Sequence, residues 1–556
     1  MIETPATSTY QKLIEASNLA YDVDRDRFKI VIPKSANIGY EILGRHADSP
    51  KSDAIAIIYE DDGEVSKHTY GELHQQALQF AVHLSNLGVQ QGTTVAVHTG
   101  QRPETIIAHA AIYYLGAIVL TLSQLYGPDT IEHILTHSNC RFIVTDDDSW
   151  KPLRPHRKRF KTLDHCILVS GNLQNELSFI DMTRGANTTP FKRVETEADD
   201  PALLMYTSGS TGMPKGMLHG HRIVHAYYPT LTMFFNLELA RPGAVFWTPA
   251  DWAWVGGLLD LAIPALQSGQ TVVASNHRFS AEWAFEFMAR HYVTHSFMTP
   301  TALKRLAEIP NPRRQWNLDL SIVCTGGESL PSEVVRWSEK QMQLVCNEFY
   351  GLTEFNHMIG NCAALYPVRP GSMGRALPGR TVAIIDESGD IQPDGTVGEI
   401  ASLRKDEQTL FLGYWGSEDL PEKMTRGEWL LSGDLAYKDK DGYFWYQGRN
   451  DDLIKSSGYR IGPAEVEDTL VRHPMVVEAA VVGKPDVERG QIVCAFVRLA
   501  KNATPSEELK KQLQSYVKTN LAYYKYPRTI YFVESFPLTN SGKIRRKDLR
   551  ARVIAE

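Results

Sequence analysis

The sequence predicts an α/β protein with a large N-terminal domain, which holds doubly wound sheets and a β-rich subdomain, and a small α+β C-terminal domain. From residue 54, strand-like runs alternate with amphipathic helix patterns, which favours parallel sheets flanked by helices. From about residue 379, short β-like runs alternate with turns instead. A short, charged segment at 448–452 precedes a fresh α+β pattern, so we divide the chain into domains 1–448 and 449–556.

Length and composition agree with this division. A chain of 556 residues is too long for one ordinary hydrophobic core. Its 43% hydrophobic and 22% charged residues are typical of a globular protein. The formal net charge of −7 offers no reason to expect binding to nucleic acid or to an anionic membrane.

The cysteines and the termini suggest the compartment. Six scattered cysteines without a C-x-x-C pair argue against a zinc site or a disulfide framework and fit a reducing environment. The N-terminus lacks a signal peptide, the C-terminus is not a peroxisomal address, and no apolar run approaches a membrane span of about 20 residues. We expect a cytoplasmic protein; a homo-oligomer is compatible with the sequence.

The first half of the chain contains regular local signals. A strand is predicted over 54–59, and Thr69-Tyr70-Gly71-Glu72 forms a capping box that opens a helix ending at Leu87-Gly88. Strands are also predicted over 94–97, 118–122, 142–145, 271–274 and 321–325, and helices over 104–115, 128–136 and 281–291.

The second half contains shorter strands and then a new helical pattern. Strands are predicted over 381–386, 398–403, 429–432, 443–447, 478–482 and 492–499, and a helix over 463–473. Thr504-Pro505-Ser506-Glu507 predicts an N-cap with proline in the first helical position, which opens a helix to about Leu521.

One loop has the composition of an anion site. The apolar run 201–206 predicts a buried strand, and ligands of doubly wound sheets bind beyond the carboxyl ends of strands. Glycines in the following loop permit close backbone approach, and hydroxyls and one lysine can donate to a triphosphate. These residues are Thr207, Ser208, Gly209, Ser210, Thr211, Gly212, Lys215 and Gly216. The order differs from a Walker A loop, and a flexible surface loop is the alternative.

This loop resembles the phosphate-loop signature of the AMP-forming acyl-adenylate superfamily, which includes acyl-CoA synthetases, peptide-synthetase adenylation domains and firefly luciferase. Six further stretches match that superfamily in its order, so the resemblance covers about residues 50–550. The most similar members are short- and medium-chain acyl-CoA synthetases and acetyl-CoA synthetase. The resemblance implies ATP, Mg²⁺ and coenzyme A as co-substrates and cofactors, and a small carboxylic acid as partner.

The resemblance assigns roles around ATP. The turn Gly326-Gly327-Glu328 is expected to hold adenine, and the stretch Glu348-Phe349-Tyr350-Gly351-Leu352-Thr353-Glu354 to complete the site. Within that stretch Tyr350 is expected to stack on adenine, Thr353 to donate to the α-phosphate, and Glu354 to hold Mg²⁺. Leu352 replaces the glutamine that is common in close relatives. Asp434 is expected to accept both ribose hydroxyls, and Arg449 to reach the ribose.

Further roles fall in the C-terminal domain. The resemblance implies that this domain is mobile and rotates about Asp451 between an adenylation pose and a thioester-forming pose. In the first pose Lys543 bridges the carboxylate and the α-phosphate. In the second, residues of the pantetheine tunnel and the CoA nucleotide site act: Ser457, Gly458, Tyr459, Arg460, Arg489 and Lys525. Lys455 stands where asparagine is usual.

The acyl pocket is expected at Trp252, Trp254 and Gly351. Glycine at 351 stands where enzymes that resemble strict acetyl-CoA synthetases have a tryptophan wall, so we expect acids longer than acetate. The predicted activity is ligation of a short- to medium-chain acid to CoA through acyl-AMP. Acetate as the substrate, loading of a carrier protein, and a non-enzymatic nucleotide-binding regulator are the alternatives. Nearby histidines are interpreted as packing residues, although His219 or His221 could line the pocket.

Overall fold

The computed structural model describes residues 30–171, 176–185, 188, 191–207, 214–404, 409–417, 424–450, 452–456, 459–501, 503–539 and 544–555. Several expected site residues lie outside these described ranges: Ser208, Gly209, Ser210, Thr211, Gly212, Asp451, Ser457, Gly458 and Lys543. Their roles stay predictions.

The described strands, in chain order, are β1 Ile55–Asp61, β2 Glu64–Thr69, β3 Thr94–His98, β4 Ile118–Thr121, β5 Phe142–Thr145, β6 His165–Leu168, β7 Leu177–Ser178, β8 Pro201–Thr207, β9 Lys215–Gly220, β10 Val245–Trp247, β11 Thr271–Ala274, β12 His295–Phe297, β13 Ile322–Gly326, β14 Val345–Leu352, β15 Asn356–Gly360, β16 Gly374–Ala376, β17 Val382–Ile385, β18 Gly398–Leu403, β19 Gly413–Tyr414, β20 Thr425–Arg426, β21 Trp429–Lys438, β22 Tyr443–Arg449, β23 Ile454–Ser456, β24 Tyr459–Ile461, β25 Val476–Asp486, β26 Gly490–Leu499 and β27 Thr529–Phe532.

The described α-helices are α1 Arg45–Ala47, α2 Tyr70–Asn86, α3 Pro103–Tyr114, α4 Pro128–His137, α5 Asp147–Trp150, α6 Phe179–Met182, α7 Ile223–Ala226, α8 Tyr228–Phe234, α9 Val255–Gly257, α10 Ile263–Gln267, α11 Ala281–Arg290, α12 Pro300–Ala307, α13 Pro312–Gln315, α14 Ser332–Lys340, α15 Pro463–Val471, α16 Glu507–Asn520 and α17 Arg546–Ala555. Within the described ranges, none combines the length and the apolar character that crossing a membrane requires.

An eight-stranded sheet carries the start of the phosphate loop. Its order is β19-β9-β8-β4-β3-β5-β6-β7, and β4 runs parallel to both β3 and β8. The predicted capping box at Thr69 is present and opens α2, whose apolar face is buried in the main core. Strand β8 pairs antiparallel with β9, so Thr207 and Lys215 stand opposite each other at the open end of this pair.

A fourteen-stranded sheet carries most of the remaining site. Strands β1 and β10 to β14 form its parallel part, and β14 then pairs antiparallel with β15. From β15 the sheet continues through β16, β22, β21, β18 and β17. The expected β-rich subdomain is therefore a continuation of this sheet, because the antiparallel β15 offers its other edge to further strands.

The small domain has its own sheet and core. Its five described strands follow the order β24-β23-β26-β25, with β27 beside β26, and α15 and α16 cover the core. The side chain of Ser506 caps α16, which begins at Glu507. The prediction of an N-cap at Thr504 with proline in the first helical position is therefore wrong by two residues, since the Ser506 hydroxyl takes the capping bond from Leu509.

Polar contacts join the two domains. Asp468 of α15 accepts hydrogen bonds from the backbone N–H (3.2 Å) and the hydroxyl (3.3 Å) of Ser332, the first residue of α14. Lys304 Nζ of α12 lies 3.7 Å from a Glu478 carboxylate oxygen. Ion pairs of this kind contribute little stability and are screened by salt.

Candidate functional site

The turn after β13 needs glycine because an aromatic ring lies against it. A Cβ added at Gly326 would lie 2.4 Å from the ring of Phe349 on the neighbouring strand β14. Gly327 has a φ of +87°, a conformation that favours glycine. Glu328 accepts a 3.0 Å hydrogen bond from the Thr301 hydroxyl. These contacts hold the backbone of the turn at the carboxyl end of the parallel strands, the edge at which ligands bind such sheets.

Strand β14 brings a buried carboxyl next to this turn. Glu348 accepts a 3.2 Å hydrogen bond from the backbone N–H of Leu330. Burial is the main cause that raises the pKa of Glu348 to about 8; the hydrogen bond from Leu330 opposes the shift, and the charge of Asp468 from the small domain adds to it. Near neutral pH this carboxyl is therefore protonated far more readily than an exposed glutamate.

Three strands converge on Asp434. The Tyr350 hydroxyl of β14 donates a 2.7 Å hydrogen bond to one carboxylate oxygen of Asp434 on β21. On the other side of the carboxylate, the Tyr446 hydroxyl of β22 lies at 3.4 Å and a guanidinium nitrogen of Arg449 at 3.9 Å. Burial, followed by the charge of Asp434, raises the pKa of the Tyr350 phenol. Tyr350, Asp434 and Arg449, which sequence reasoning assigned to adenine and ribose, thus form one cluster.

Sequence reasoning missed Tyr414, which links two other expected residues. Its hydroxyl donates a 2.9 Å hydrogen bond to one carboxylate oxygen of Glu354. On the face of its ring, Lys215 Nζ lies 5.5 Å from the ring centroid, a cation–π distance. Tyr414 pairs with Met217 across β19 and β9, so the register of a two-residue strand sets its position. The sequence contains no periodic signal for such a short strand.

The Glu354 carboxylate has the chemistry that Mg²⁺ requires. Mg²⁺ is usually held by one or two carboxylates together with substrate phosphates and waters, so three protein ligands are not needed. In the described part of the chain no group of three or more His, Cys, Asp or Glu residues forms a metal cluster. The single carboxylate of Glu354 therefore fits a Mg²⁺ ion whose other ligands would come from substrate phosphate and water.

The histidines near the site are buried. His219, His221, His225 and His357 are each exposed by 2% or less. Burial lowers the pKa of His219 to about 4, and its ring lies against the backbone of Thr353. His357 Nε2 lies 3.2 Å from Asp260, whose carboxylate also accepts a 2.6 Å bond from the Tyr227 hydroxyl. Their burial supports the interpretation of these histidines as packing residues.

The segment Thr248–Trp254 reaches across to the eight-stranded sheet. The Gln101 amide donates to the carbonyls of Thr248 and Ala250, each at 2.8 Å. Ser123 donates a 2.9 Å hydrogen bond to the partly buried Asp251, and loss of solvent around this carboxyl raises its pKa. These contacts hold Trp254 partly exposed, edge-on against Tyr126 at a ring separation of 5.8 Å.

Two expected pocket residues have close packing partners. Trp252 is only 1% exposed and belongs to the main core, and its assignment to the acyl pocket stays a prediction. A Cβ added at Gly351 would lie 2.2 Å from the carbonyl oxygen of Asn356 and 3.1 Å from the Cα of His357. The close approach of β15 to β14 therefore favours glycine at this position, and the role of Gly351 in the acyl pocket stays a prediction.

The expected CoA residues are described only in part. Tyr459 is 51% exposed and its ring stacks on Tyr524 at 4.2 Å. Lys525 Nζ lies 2.5 Å from a Glu465 carboxylate oxygen, so its charge is paired within the small domain. The backbone N–H of Arg489 donates to Asp486 at 2.9 Å. For Arg460 the structure describes only the backbone, on β24.

Comparisons with known proteins agree with this arrangement. Residues 43–415 match the AMP-binding enzyme family, and residues 465–543 match the AMP-binding enzyme C-terminal domain. An uncharacterised acyl-CoA ligase, YtcI of Bacillus subtilis, is 34% identical over 95% of this chain and 98% of its own. The acetyl-coenzyme A synthetase of the same organism is 32% identical over 93% of this chain and 90% of its own.

A solved structure extends the likeness to three dimensions. The anthranilate CoA ligase AuaEII, in complex with anthranoyl-AMP, superimposes with a TM-score of 0.84 at 27% identity and covers 94% of this chain and 98% of its own. The two family matches together include the turn that carries Glu354 and most of the small domain. The chain therefore belongs to the AMP-binding enzyme family, and it is an AMP-forming acyl-CoA ligase.

Proposed function

We propose that this ligase activates short- to medium-chain carboxylic acids and transfers them to CoA. The observation that carries this proposal is a run of three partly exposed residues, Trp254, Val255 and Gly256, between buried neighbours on both sides. The ring of Phe297 lies beside Gly256, since an added Cβ would meet it at 2.5 Å. Such an apolar surface can bury more of an acyl chain than the single methyl group of acetate.

The first half-reaction is adenylate formation. The substrate carboxylate attacks the α-phosphorus of ATP, the bond to the β-phosphate oxygen breaks, and pyrophosphate leaves. We assign Thr353 and Lys543 to the α-phosphate oxygens, and Thr207, Lys215 and the loop between them to the leaving phosphates. Catalysis then consists mainly of positioning and charge stabilisation. Bound at Glu354, Mg²⁺ would neutralise phosphate charge.

The second half-reaction is thioester formation. The CoA thiol attacks the acyl carbonyl, the mixed anhydride opens, and AMP leaves as the acyl-CoA forms. We infer that the small domain rotates about Asp451 between the two steps, withdrawing Lys543 and bringing Gly458 to the adenylate. The polar character of the contacts at Ser332 and Lys304 supports this inference, because such contacts can be broken at little cost.

Two alternatives are kept because specific observations favour them. A relative of 32% identity is an acetyl-coenzyme A synthetase, which favours acetate. The superimposed AuaEII acts on anthranilate, which favours an aromatic acid. Loading of a carrier protein is a third alternative, which CoA as direct acceptor would exclude. We also propose a cytoplasmic location, supported by the buried, unbridged thiols of all six cysteines.

The test is a substrate panel. Pyrophosphate, AMP and thioester are quantified for acetate, butyrate, hexanoate, octanoate, benzoate and anthranilate, with and without CoA. We expect AMP and thioester in equal amounts, and a kcat/KM for butyrate to octanoate at least about 10-fold above acetate, since each buried CH₂ contributes about 0.8 kcal/mol. A maximum at acetate or at an aromatic acid would replace the proposed substrate. Adenylate that accumulates without thioester would favour a carrier protein.

A further inference from the structure

Helix α4 presents two histidines to the strands that carry the start and the end of the phosphate loop. Its apolar residues Ile131, Ile134 and Leu135 are buried, which fixes the helix against the eight-stranded sheet. The opposite face lines a surface hollow of about 470 Å³ with Asp129, Glu132, His133, Thr136 and His137.

The carboxylates of this face are already engaged. Arg159 lies 2.6 Å from Asp129 and also contacts Glu132, so one guanidinium holds both. The described part of the chain contains no metal cluster of three or more His, Cys, Asp or Glu residues. The contacts of the two histidines themselves indicate their role.

His137 contacts strand β8, and His133 contacts Pro214, which immediately precedes β9. His133 Nε2 lies 3.2 Å from the carbonyl oxygen of Pro214, so Nε2 carries the proton and donates. His137 Nδ1 lies 2.7 Å from the hydroxyl of Tyr206. The two imidazole rings are stacked, with 5.7 Å between their centroids and 24° between their planes, so each ring restricts the position of the other.

These contacts fall next to two expected phosphate residues. Tyr206 immediately precedes Thr207, and Pro214 immediately precedes Lys215. Thr207 and Lys215 are partners across the pairing of β8 with β9. Trp415 also connects α4 to β9. Its indole N–H donates to the His137 carbonyl at 3.2 Å, and its backbone N–H donates to the Gly216 carbonyl at 2.8 Å. Helix α4 is thus tied to both strands where Thr207 and Lys215 project.

We propose that His133 and His137 are positioning residues for the triphosphate of ATP. They hold the carbonyl of Pro214 and the side chain of Tyr206, and through these set the separation and orientation of Thr207 and Lys215. Neither histidine touches the reacting atoms. The proposal rests on the function proposed above only in assigning the triphosphate to this loop. It implies that ATP binding and adenylation depend on both histidines, whereas thioester formation from a preformed adenylate does not.

The experiment uses the full-length enzyme and variants that remove or keep each contact. His133→Leu and His137→Leu remove the hydrogen bonds. His133→Gln and His137→Asn keep them, because a glutamine amide reaches the position of Nε2 and an asparagine amide that of Nδ1. Tyr206→Phe removes only the hydroxyl that His137 meets. His156→Leu, on the neighbouring turn Arg154–Arg159, is the control.

Three readouts separate a positioning role from a structural one: the Kd for ATP with Mg²⁺ by calorimetry, the KM for ATP in ATP–pyrophosphate exchange, and the thioester rate from synthetic acyl-AMP. We expect each leucine variant and Tyr206→Phe to raise Kd and KM for ATP about 5- to 10-fold. The amide variants and the control should stay within about 2-fold of wild type. The rate from acyl-AMP should be unchanged in all of them.

An unchanged Kd for ATP in folded leucine variants, checked by Tm, would overturn the proposal, as would an equal loss in both half-reactions. If the leucine variants fail to fold, Tyr206→Phe decides alone, because phenylalanine fills the same buried volume. Wild-type enzyme that binds ATP but exchanges pyrophosphate with none of the acids tested would contradict the proposed function and leave the calorimetric comparison valid.

Discussion

At the scale of single residues, Tyr414 restricts the orientation of the Glu354 carboxylate. Its hydroxyl donates to one carboxylate oxygen at 2.9 Å, which leaves the other oxygen for the Mg²⁺ ion that we propose to bind here. We expect Tyr414→Phe to lower the adenylation rate about 10- to 100-fold, because a hydrogen bond to a charged group contributes about 1.5–3 kcal/mol. The Mg²⁺ concentration for half-maximal exchange should rise as well.

A Mg²⁺ titration of ATP–pyrophosphate exchange measures both effects. Tyr292→Phe is the matched control, since Tyr292 is 64% exposed and follows α11, away from these contacts. A Tyr414→Phe enzyme with the Mg²⁺ dependence of wild type would show that the hydroxyl does not orient the carboxylate.

Trp254 is the residue that we expect to limit chain length. Its ring is partly exposed and lies edge-on to Tyr126, so removing it opens space without emptying the core. Trp254→Ala should shift the preference toward longer acids and raise the octanoate-to-acetate ratio of kcat/KM about 10-fold or more. This corresponds to roughly two further buried CH₂ groups at about 0.8 kcal/mol each.

The measurement is kcat/KM for acids from acetate to decanoate. Trp283→Ala serves as control, because Trp283 is also half-buried but stacks on His277 and Phe287 instead. A ratio that stays constant in an active Trp254→Ala enzyme would remove Trp254 from the acyl pocket.

At the scale of elements, the pairing of β14 with β15 holds in place the residues that we expect to contact adenine and phosphate. The register shifts between Tyr350 and Gly351, and the backbone of Asn356 approaches the glycine closely. Gly351→Ala should therefore displace β14 and reduce kcat/KM for every acid by a similar factor, about 10-fold or more, with a lower Tm.

This outcome differs in kind from that expected for Trp254→Ala. A change in acid preference, with adenylation of acetate preserved, would mean that the strand pair accommodates the methyl group and that Gly351 faces the acyl chain. Gly256→Ala offers a comparison, because its added Cβ would meet the movable ring of Phe297 rather than backbone.

At the scale of the whole molecule, buried histidines make stability depend on pH. Burial lowers the pKa of His46, His98 and His219 to about 4 each. In the unfolded chain a histidine titrates near 6.5, so the unfolded state binds more protons below that pH. The free energy of unfolding should therefore fall as the pH drops from 6.5 toward 4, by about 1.4 kcal/mol per unit for each histidine.

Denaturant unfolding at pH 7.5, 6.5 and 5.5 measures this slope before most carboxylates titrate. We expect little change between the first two values and a lower transition midpoint at 5.5. His98→Asn should reduce the dependence of the unfolding free energy on pH by the contribution of one proton. Such a reduction distinguishes histidine titration from a general effect of charge. A midpoint that rises on acidification would contradict the prediction.

The sequence by itself determined the features that depend on neighbouring residues. The capping box at Thr69, the buried run before Thr207 and the helix predicted over 128–136 follow from hydrogen bonds and periodicities within a few positions. The ordered motifs also determined the family, because each is a short continuous stretch.

Tertiary structure alone decided which distant residues meet. Tyr414 reaches Glu354 across 60 positions, and Tyr350 reaches Asp434 across 84. His133 and His137 meet Pro214 and Tyr206 because α4 packs beside β8 and β9. The motif around Gly351 likewise gave no sign that a side chain there would meet the backbone of β15. Sheet order and register create these contacts, and no local pattern encodes which edge a returning strand will pair with.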